Sequence, residues 1–291
     1  MAAFFSGLSM LKQRVITALI LLALLLPALF TVNPWPFMVL TVVMIAAGAW
    51  EWGRLNSVPA WMAWAGALLC LLACALAHQM GWVQYTPPLV WLFAGAFWVL
   101  IGGWMILRGV SGWVLWPRNL RWLGGLLLLS LAWVAMAQAH QRGVNFLLSL
   151  LVLVWAADVF AYFFGKALGG RWVKTKLAAH ISPGKSWEGV LGGMLGVLLV
   201  ALTWVEIDRR LEFLNLSLYS LLFAKGAWVA LPALLFLSAM SVVGDLLESL
   251  VKRSAGMKDS SGLLPGHGGV LDRVDALLPT LPLAMMLVFW I

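Results

Sequence analysis

The sequence predicts an all-α, polytopic integral membrane protein with about nine transmembrane helices. Three observations lead there. Apolar residues make up 63% of the 291 and charged residues only 10%; mean hydropathy is +0.97; and the apolar residues fall into nine runs close to the ~20 that a helix needs to cross a bilayer core. Soluble globular domains are far less apolar.

The first run, 14–32, follows Lys12 and Arg14 as the core of a signal peptide would. No small-residue cleavage pattern accompanies Pro27 to Pro34, so it reads as an uncleaved helix. Runs 36–52, 60–78, 88–107 and 121–139 complete a first half, 1–140, that reads as scaffold. Trp35, Trp50, Trp61, Trp82, Trp104 and Trp122 stand near helix ends, where indoles anchor at the interface. Glu51 and Arg54, three apart at the end of the second helix, read as a surface ion pair. Cys70 and Cys74 read as packing residues, and His78, His140 and His180 as interfacial or loop residues. Runs 144–165, 187–205, 228–250 and 274–291 form a second half, 141–291, expected to be catalytic with its loops 166–186 and 251–274. Leu211 to Phe223, short and interrupted by Asn215 and Ser217, reads as an interfacial helix.

Nine spans put the termini on opposite sides. With the N-terminus in the cytoplasm, cytoplasmic segments hold 15 of the 19 basic residues, leaving out Arg142, Arg209, Arg210 and Lys225. This positive-inside bias sets the C-terminus on the external, periplasmic side. It also accounts for the net charge of +8 through anionic lipid headgroups, with no nucleic-acid partner expected.

Chemistry concentrates between the last two spans, in Ser249–Asp275. Lys252, Arg253 and Lys258 offer cationic donors, five glycines let backbone N–H groups approach a ligand, and Asp272 and Asp275 fall on one helical face. Such a set suits a polyphosphate and the magnesium that accompanies it. Immediately upstream, Asp245, Glu248, Ser249 and Lys252 form one polar stripe on an apolar helix. His267 sits between glycines in PGHGG.

Asp158 lies inside the sixth span, where a carboxylate costs about 2.5–3.5 kcal/mol on insertion scales, so a partner or an aqueous cavity must offset it. Tyr162, one turn on, either donates a hydrogen bond to Asp158 or faces a substrate. The loop before the seventh span ends in HISPGKSWEG. There Ser182 and Pro183 resemble a helix start, and Lys185 beside exposed N–H groups suits a phosphate. Glu188 either caps that helix or answers Lys185.

Ser249, Lys252, Arg253, Lys258, Asp259, Gly262, Pro265, His267, Gly268, Gly269, Asp272, Arg273 and Asp275 stand at the spacings of a known signature. It resembles that of the phosphatidate cytidylyltransferases, or CDP-diacylglycerol synthases. Asp158, Tyr162 and Ser182 to Gly189 resemble the second element of that family. The two cover about the last 130 residues.

The resemblance implies transfer of a cytidylyl group from CTP to phosphatidic acid, with release of pyrophosphate, at the cytoplasmic face of the bacterial inner membrane. It implies a metal centre of Asp245, Asp272 and Asp275 holding Mg2+, with or without a monovalent cation such as K+. It assigns phosphate neutralisation to Lys252, Arg253, Lys258 and Arg273, a second phosphate contact to Lys185, and the nucleotide pocket to His267, Gly268 and Gly269. Asp259 belongs to the same catalytic stretch, and Ser182, Ser249, Asp158 and Tyr162 to the binding site. Small residues such as Gly192, Gly193 and Gly196 suit helix packing, within one chain or in a homodimer. A transporter would spread its polar groups through the bilayer, whereas these gather at one end.

Overall fold

The computed structural model describes residues 10–290 and is built of helices joined by short loops. Among the described residues nine helices are long and apolar enough to cross a membrane. We label them α1 (Met10–Phe30), α2 (Trp35–Leu55), α3 (Ala60–Gln79), α4 (Pro88–Leu115), α5 (Arg118–Gln141), α6 (Val144–Leu168) and α7 (Trp187–Leu211). A short helix, α8 (Leu218–Ala224), precedes α9 (Ala227–Ser254) and α10 (Leu271–Trp290). All nine predicted spans are present, most running several residues beyond their apolar cores. α10 starts at Leu271, which brings Asp272 and Asp275 into its first turns.

The helices pack as a continuous apolar bundle. α5 is the most enclosed of them, buried between α2, α3 and α10. α6 and α7 pair along their lengths through a glycine stripe on α7. Cβ atoms added at Gly193 and Gly189 would lie 2.7 and 2.9 Å from the Ala157 and Ala161 carbonyl oxygens, and at Gly192 and Gly196 they would run into Phe164 and Phe160. The stripe therefore serves packing within the chain. Gly244 does the same for α9 and α10, since its Cβ would fall 2.4 Å from the Asp275 carbonyl oxygen.

The expected interfacial helix at 211–223 is corrected. α7 runs to Leu211, the chain reverses at Glu212 (φ 47°), and α8 begins only at Leu218. Leu218, Tyr219 and Leu222 are fully buried, so α8 plugs the bundle instead of lying on a surface. Polar contacts explain the difference. Asp208 accepts from Ser217 N (3.1 Å) and from the Ser217 and Ser220 hydroxyls, while the Tyr219 hydroxyl donates to the Ser149 carbonyl at 2.8 Å. Burial pushes the Tyr219 phenol above its ordinary pKa, which keeps it a donor.

Candidate active site

Two groups of polar side chains meet along α9. The first lines a cavity of about 360 Å³ between α6, α7, α9 and the 166–186 loop. α6 supplies Asp158, Tyr162 and Lys166, the loop supplies Lys185, and α9 supplies Asp245; Ala161, Gly165, Val190 and Val242 form the apolar remainder. Lys185 Nζ stands 2.6 Å from Asp245 Oδ2, and Ser249 Oγ donates to Asp245 Oδ1 at 3.3 Å. Asp158 therefore lines a cavity that also holds Lys185 and Asp245. Tyr162 makes no hydrogen bond to Asp158; it is exposed on the cavity wall, with Lys166 Nζ 5.9 Å from its ring centroid. Asp275, at the start of α10, lies in electrostatic range of both Asp245 and Asp158, and its Oδ1 accepts from Ala276 N at 2.8 Å.

The SPGK turn is placed differently from expectation. Ser182 does not start a helix: its N–H bonds the Ala178 carbonyl (2.8 Å), and its own carbonyl accepts from Lys185 N (3.2 Å). The cap is Ser186, in extended conformation, whose Oγ accepts from Gly189 N at 3.1 Å. Pro183 and Gly184 close a tight turn before it, which is why the start moves four residues on. Glu188 neither caps nor answers Lys185. It is buried, and its Oε1 accepts from Trp172 N and Val173 N, both at 2.9 Å, holding the first part of the same loop.

The second group is the loop between α9 and α10. Lys252 Nζ bridges Glu248 Oε2 (2.5 Å) and Asp272 Oδ1 (2.6 Å). Asp272 Oδ2 accepts from Ser260 N, Ser260 Oγ and Gly269 N, each at 2.8 Å. Gly268 adopts φ +82°, and a Cβ there would come within 2.8 Å of Asp272 Oδ2, so this turn requires glycine. Arg273 Nε and Nη2 donate to the His267 carbonyl at 3.1 and 2.7 Å, while His267 Nδ1 is buried and unpaired. Arg253 Nε reaches the Ile181 carbonyl at 3.4 Å and links the two loops. Lys258 and Asp259 are exposed.

The fold thus gathers Asp158, Tyr162, Lys185 and Asp245 at the cavity, with Asp275 behind Asp245 at the start of α10, and Lys252, Asp272, His267 to Gly269 and Arg273 in the adjoining loop. Asp272 spends both oxygens on the loop and Lys252. Among the described residues no three His, Cys, Asp or Glu side chains converge as a ready-made metal site.

Residues of the first half complete the loop, and the sequence alone did not show this. Glu51 is no surface partner of Arg54. It is fully buried and receives hydrogen bonds from Ser260, Ser261, Val270 and Leu271, whereas the Arg54 guanidinium stacks on Trp50 at 4.8 Å. From α1, Thr17 Oγ1 donates to the Pro265 carbonyl (2.8 Å) and Arg14 Nε to that of Gly266 (3.1 Å). A lone acid at the end of a Trp-rich span was the one available signal for Glu51; nothing marked Arg14 or Thr17.

Relatives match the chain along nearly its whole length. The profile of the cytidylyltransferase family matches residues 12–291. The chain is 38% identical to a phosphatidate cytidylyltransferase of Pseudomonas aeruginosa, over 94% of this chain and 95% of that protein. It is 32% identical to phosphatidate cytidylyltransferases of Haemophilus influenzae, over 97% and 100%, and of Staphylococcus aureus, over 95% and 98%. With the match spanning both halves of the bundle and the whole signature loop, the chain belongs to the cytidylyltransferase family.

Proposed function

We propose that the protein transfers the cytidylyl group of CTP to phosphatidate, forming CDP-diacylglycerol and pyrophosphate, at the cytoplasmic leaflet of a bacterial inner membrane. The observation that carries this reading is the two-sided cavity. Its floor is charged, with Asp158, Lys185 and Asp245, and its walls are apolar. Beside Asp158 on α6, Trp155, Val159 and Phe163 are exposed where the bilayer would lie. An amphiphile fits such a site, with its phosphate on the floor and its acyl chains outside. The relatives' names supply the reaction, and the basic residues of the loops supply the orientation.

The lipid phosphate is already ionised at neutral pH and needs no strong general base. Its oxygen forms a bond to the α-phosphorus of CTP as the bond to the β-phosphate oxygen breaks and pyrophosphate leaves. Positioning and charge neutralisation then carry the catalysis. Lys185 would hold the lipid phosphate at the cavity floor. Lys252, Arg253, Lys258 and Arg273 would neutralise the triphosphate and the leaving pyrophosphate.

The donor set fits magnesium. Asp158, Asp245 and Asp275 interact electrostatically and Lys185 is ion-paired with Asp245, so acidic side chains outnumber the paired cation there. Magnesium takes one or two carboxylates and completes its shell with phosphate oxygens and water, which suits a site with no preformed three-residue cluster. Asp245 and Asp275 would hold it; Asp272 can join them only when Lys252 releases Oδ1. When bound, it would neutralise phosphate charge and align the reacting groups.

Purified protein given CTP labelled at the α-phosphate, phosphatidate and magnesium should yield labelled CDP-diacylglycerol and one pyrophosphate per lipid. Absence of label in any lipid product would overturn the proposal. Label arising only with a different lipid phosphate would overturn the choice of substrate.

A further inference from the structure

We infer that Glu51 is a positioning residue whose buried carboxylate is the template on which the signature loop folds. This rests on the reading of that loop as the phosphate-handling part of the site. Glu51 has no measurable exposure, yet no basic side chain forms an ion pair with it among the described residues. Its charge is answered by hydrogen bonds alone. Oε1 accepts from Ser261 Oγ (2.5 Å) and Val270 N (2.9 Å), and Oε2 from Ser260 Oγ (3.1 Å) and Leu271 N (2.8 Å). The Ser261 hydroxyl and the Val270 and Leu271 N–H groups serve Glu51 alone, while the single Ser260 hydroxyl proton is shared between Glu51 and Asp272.

All four donors lie in the loop and at the start of α10, more than 200 residues from Glu51 in sequence. They pin both ends of the PGHGG turn. The Ser260 hydroxyl stands between Glu51 and Asp272, 3.1 Å from one and 2.8 Å from the other, and Asp272 in turn meets Lys252. A continuous polar chain therefore runs from α2 through the loop to α9. Gly269 belongs to it as well: a Cβ there would sit 2.3 Å from Glu51 Oε1 and 2.0 Å from Ser260 Oγ. That glycine is required by the approach of Glu51, whatever it also does for a nucleotide.

Substitution separates this role from a generic core position. Glu51→Gln keeps the shape but swaps one acceptor oxygen for an amide that must face two donors, so the loop loses two bonds and gains a clash of hydrogens. Glu51→Asp keeps the charge one methylene short. Trypsin cleavage after the exposed Lys258, followed by mass analysis of the fragments without any substrate, reads the loop directly. In Glu51→Gln cleavage should rise roughly tenfold. In the transfer assay kcat should fall about a hundredfold with a smaller change in KM, because the loop is mispositioned and not removed; Glu51→Asp should recover part of both. If Glu51→Gln fails to fold, Ser261→Ala removes one donor and should move both readouts the same way. Unchanged cleavage at Lys258 together with wild-type kcat in these variants would overturn the inference. Should the wild type transfer no cytidylyl group, the proposed function falls, while the cleavage comparison still decides the role of Glu51.

Discussion

Lys252 and Asp272, twenty residues apart in the chain, meet at 2.6 Å, and the same ammonium reaches Glu248 at 2.5 Å. One cation thus fastens the end of α9 to the start of α10. Removing either partner of such a half-buried pair leaves a charge without its counterion. Asp272→Asn and Lys252→Met should each lower kcat/KM by about a hundredfold in the transfer assay. Because the two variants remove the same contact, the double variant should cost little more than the worse single one. Fully additive losses would show that the two residues act independently.

In the proposed reaction Asp245 and Asp275 would hold the metal, with Lys185 at 2.6 Å from Asp245. Neutral amides bind magnesium poorly. Asp245→Asn and Asp275→Asn should insert in the membrane but lose most CTP-dependent activity, and should need far more magnesium for what remains. Chelation should abolish wild-type turnover, and added magnesium should restore it. Wild-type turnover at the wild-type magnesium requirement in either variant would refute the metal role for that residue.

Much of the fold is legible in the sequence because a membrane span is a local property: ~20 apolar residues suffice, and each run announces itself. The chemistry of the second half is legible for the opposite reason, since Asp158, Lys252 or Asp272 is conspicuous where charge is scarce. What stays hidden is pairing across distance. Glu51 looks like half of a surface pair because Arg54 is near in sequence, while its true partners, Ser260, Ser261, Val270 and Leu271, are found only by folding. The capping residue is hidden for a related reason. Ser182 followed by Pro183 has the form of a helix start, but Ser186 has the extended backbone from which a side chain reaches Gly189 N.

That second point is testable by comparing two serines. Ser186 Oγ satisfies an N–H at the start of α7, whereas Ser182 acts through its backbone. Ser186→Ala should lower stability by about 1 kcal/mol, seen as earlier thermal unfolding in detergent. Ser182→Ala should leave unfolding unchanged. The reverse order would move the helix start back to Ser182.

The glycine stripe on α7 seats that helix against α6, and the cavity opens at the end of this seam, lined by Asp158 and Tyr162 of α6 and by Ser186 and Gly189 at the head of α7. At Gly193 an added Cβ would lie 2.7 Å from a backbone oxygen, which cannot swing aside as a side chain could. Gly193→Ala must therefore push the two helices apart, at a cost of about 1–3 kcal/mol, and shift the cavity floor with them. Gly102 on α4 is a suitable control, because a Cβ there meets nothing nearer than 3.6 Å and alanine favours the helix. Thermal inactivation of the detergent-solubilised variants should come earlier for Gly193→Ala and no earlier than wild type for Gly102→Ala. Transfer activity should fall only in the first. Equal behaviour of the two would mean that α6 and α7 can separate without disturbing the site.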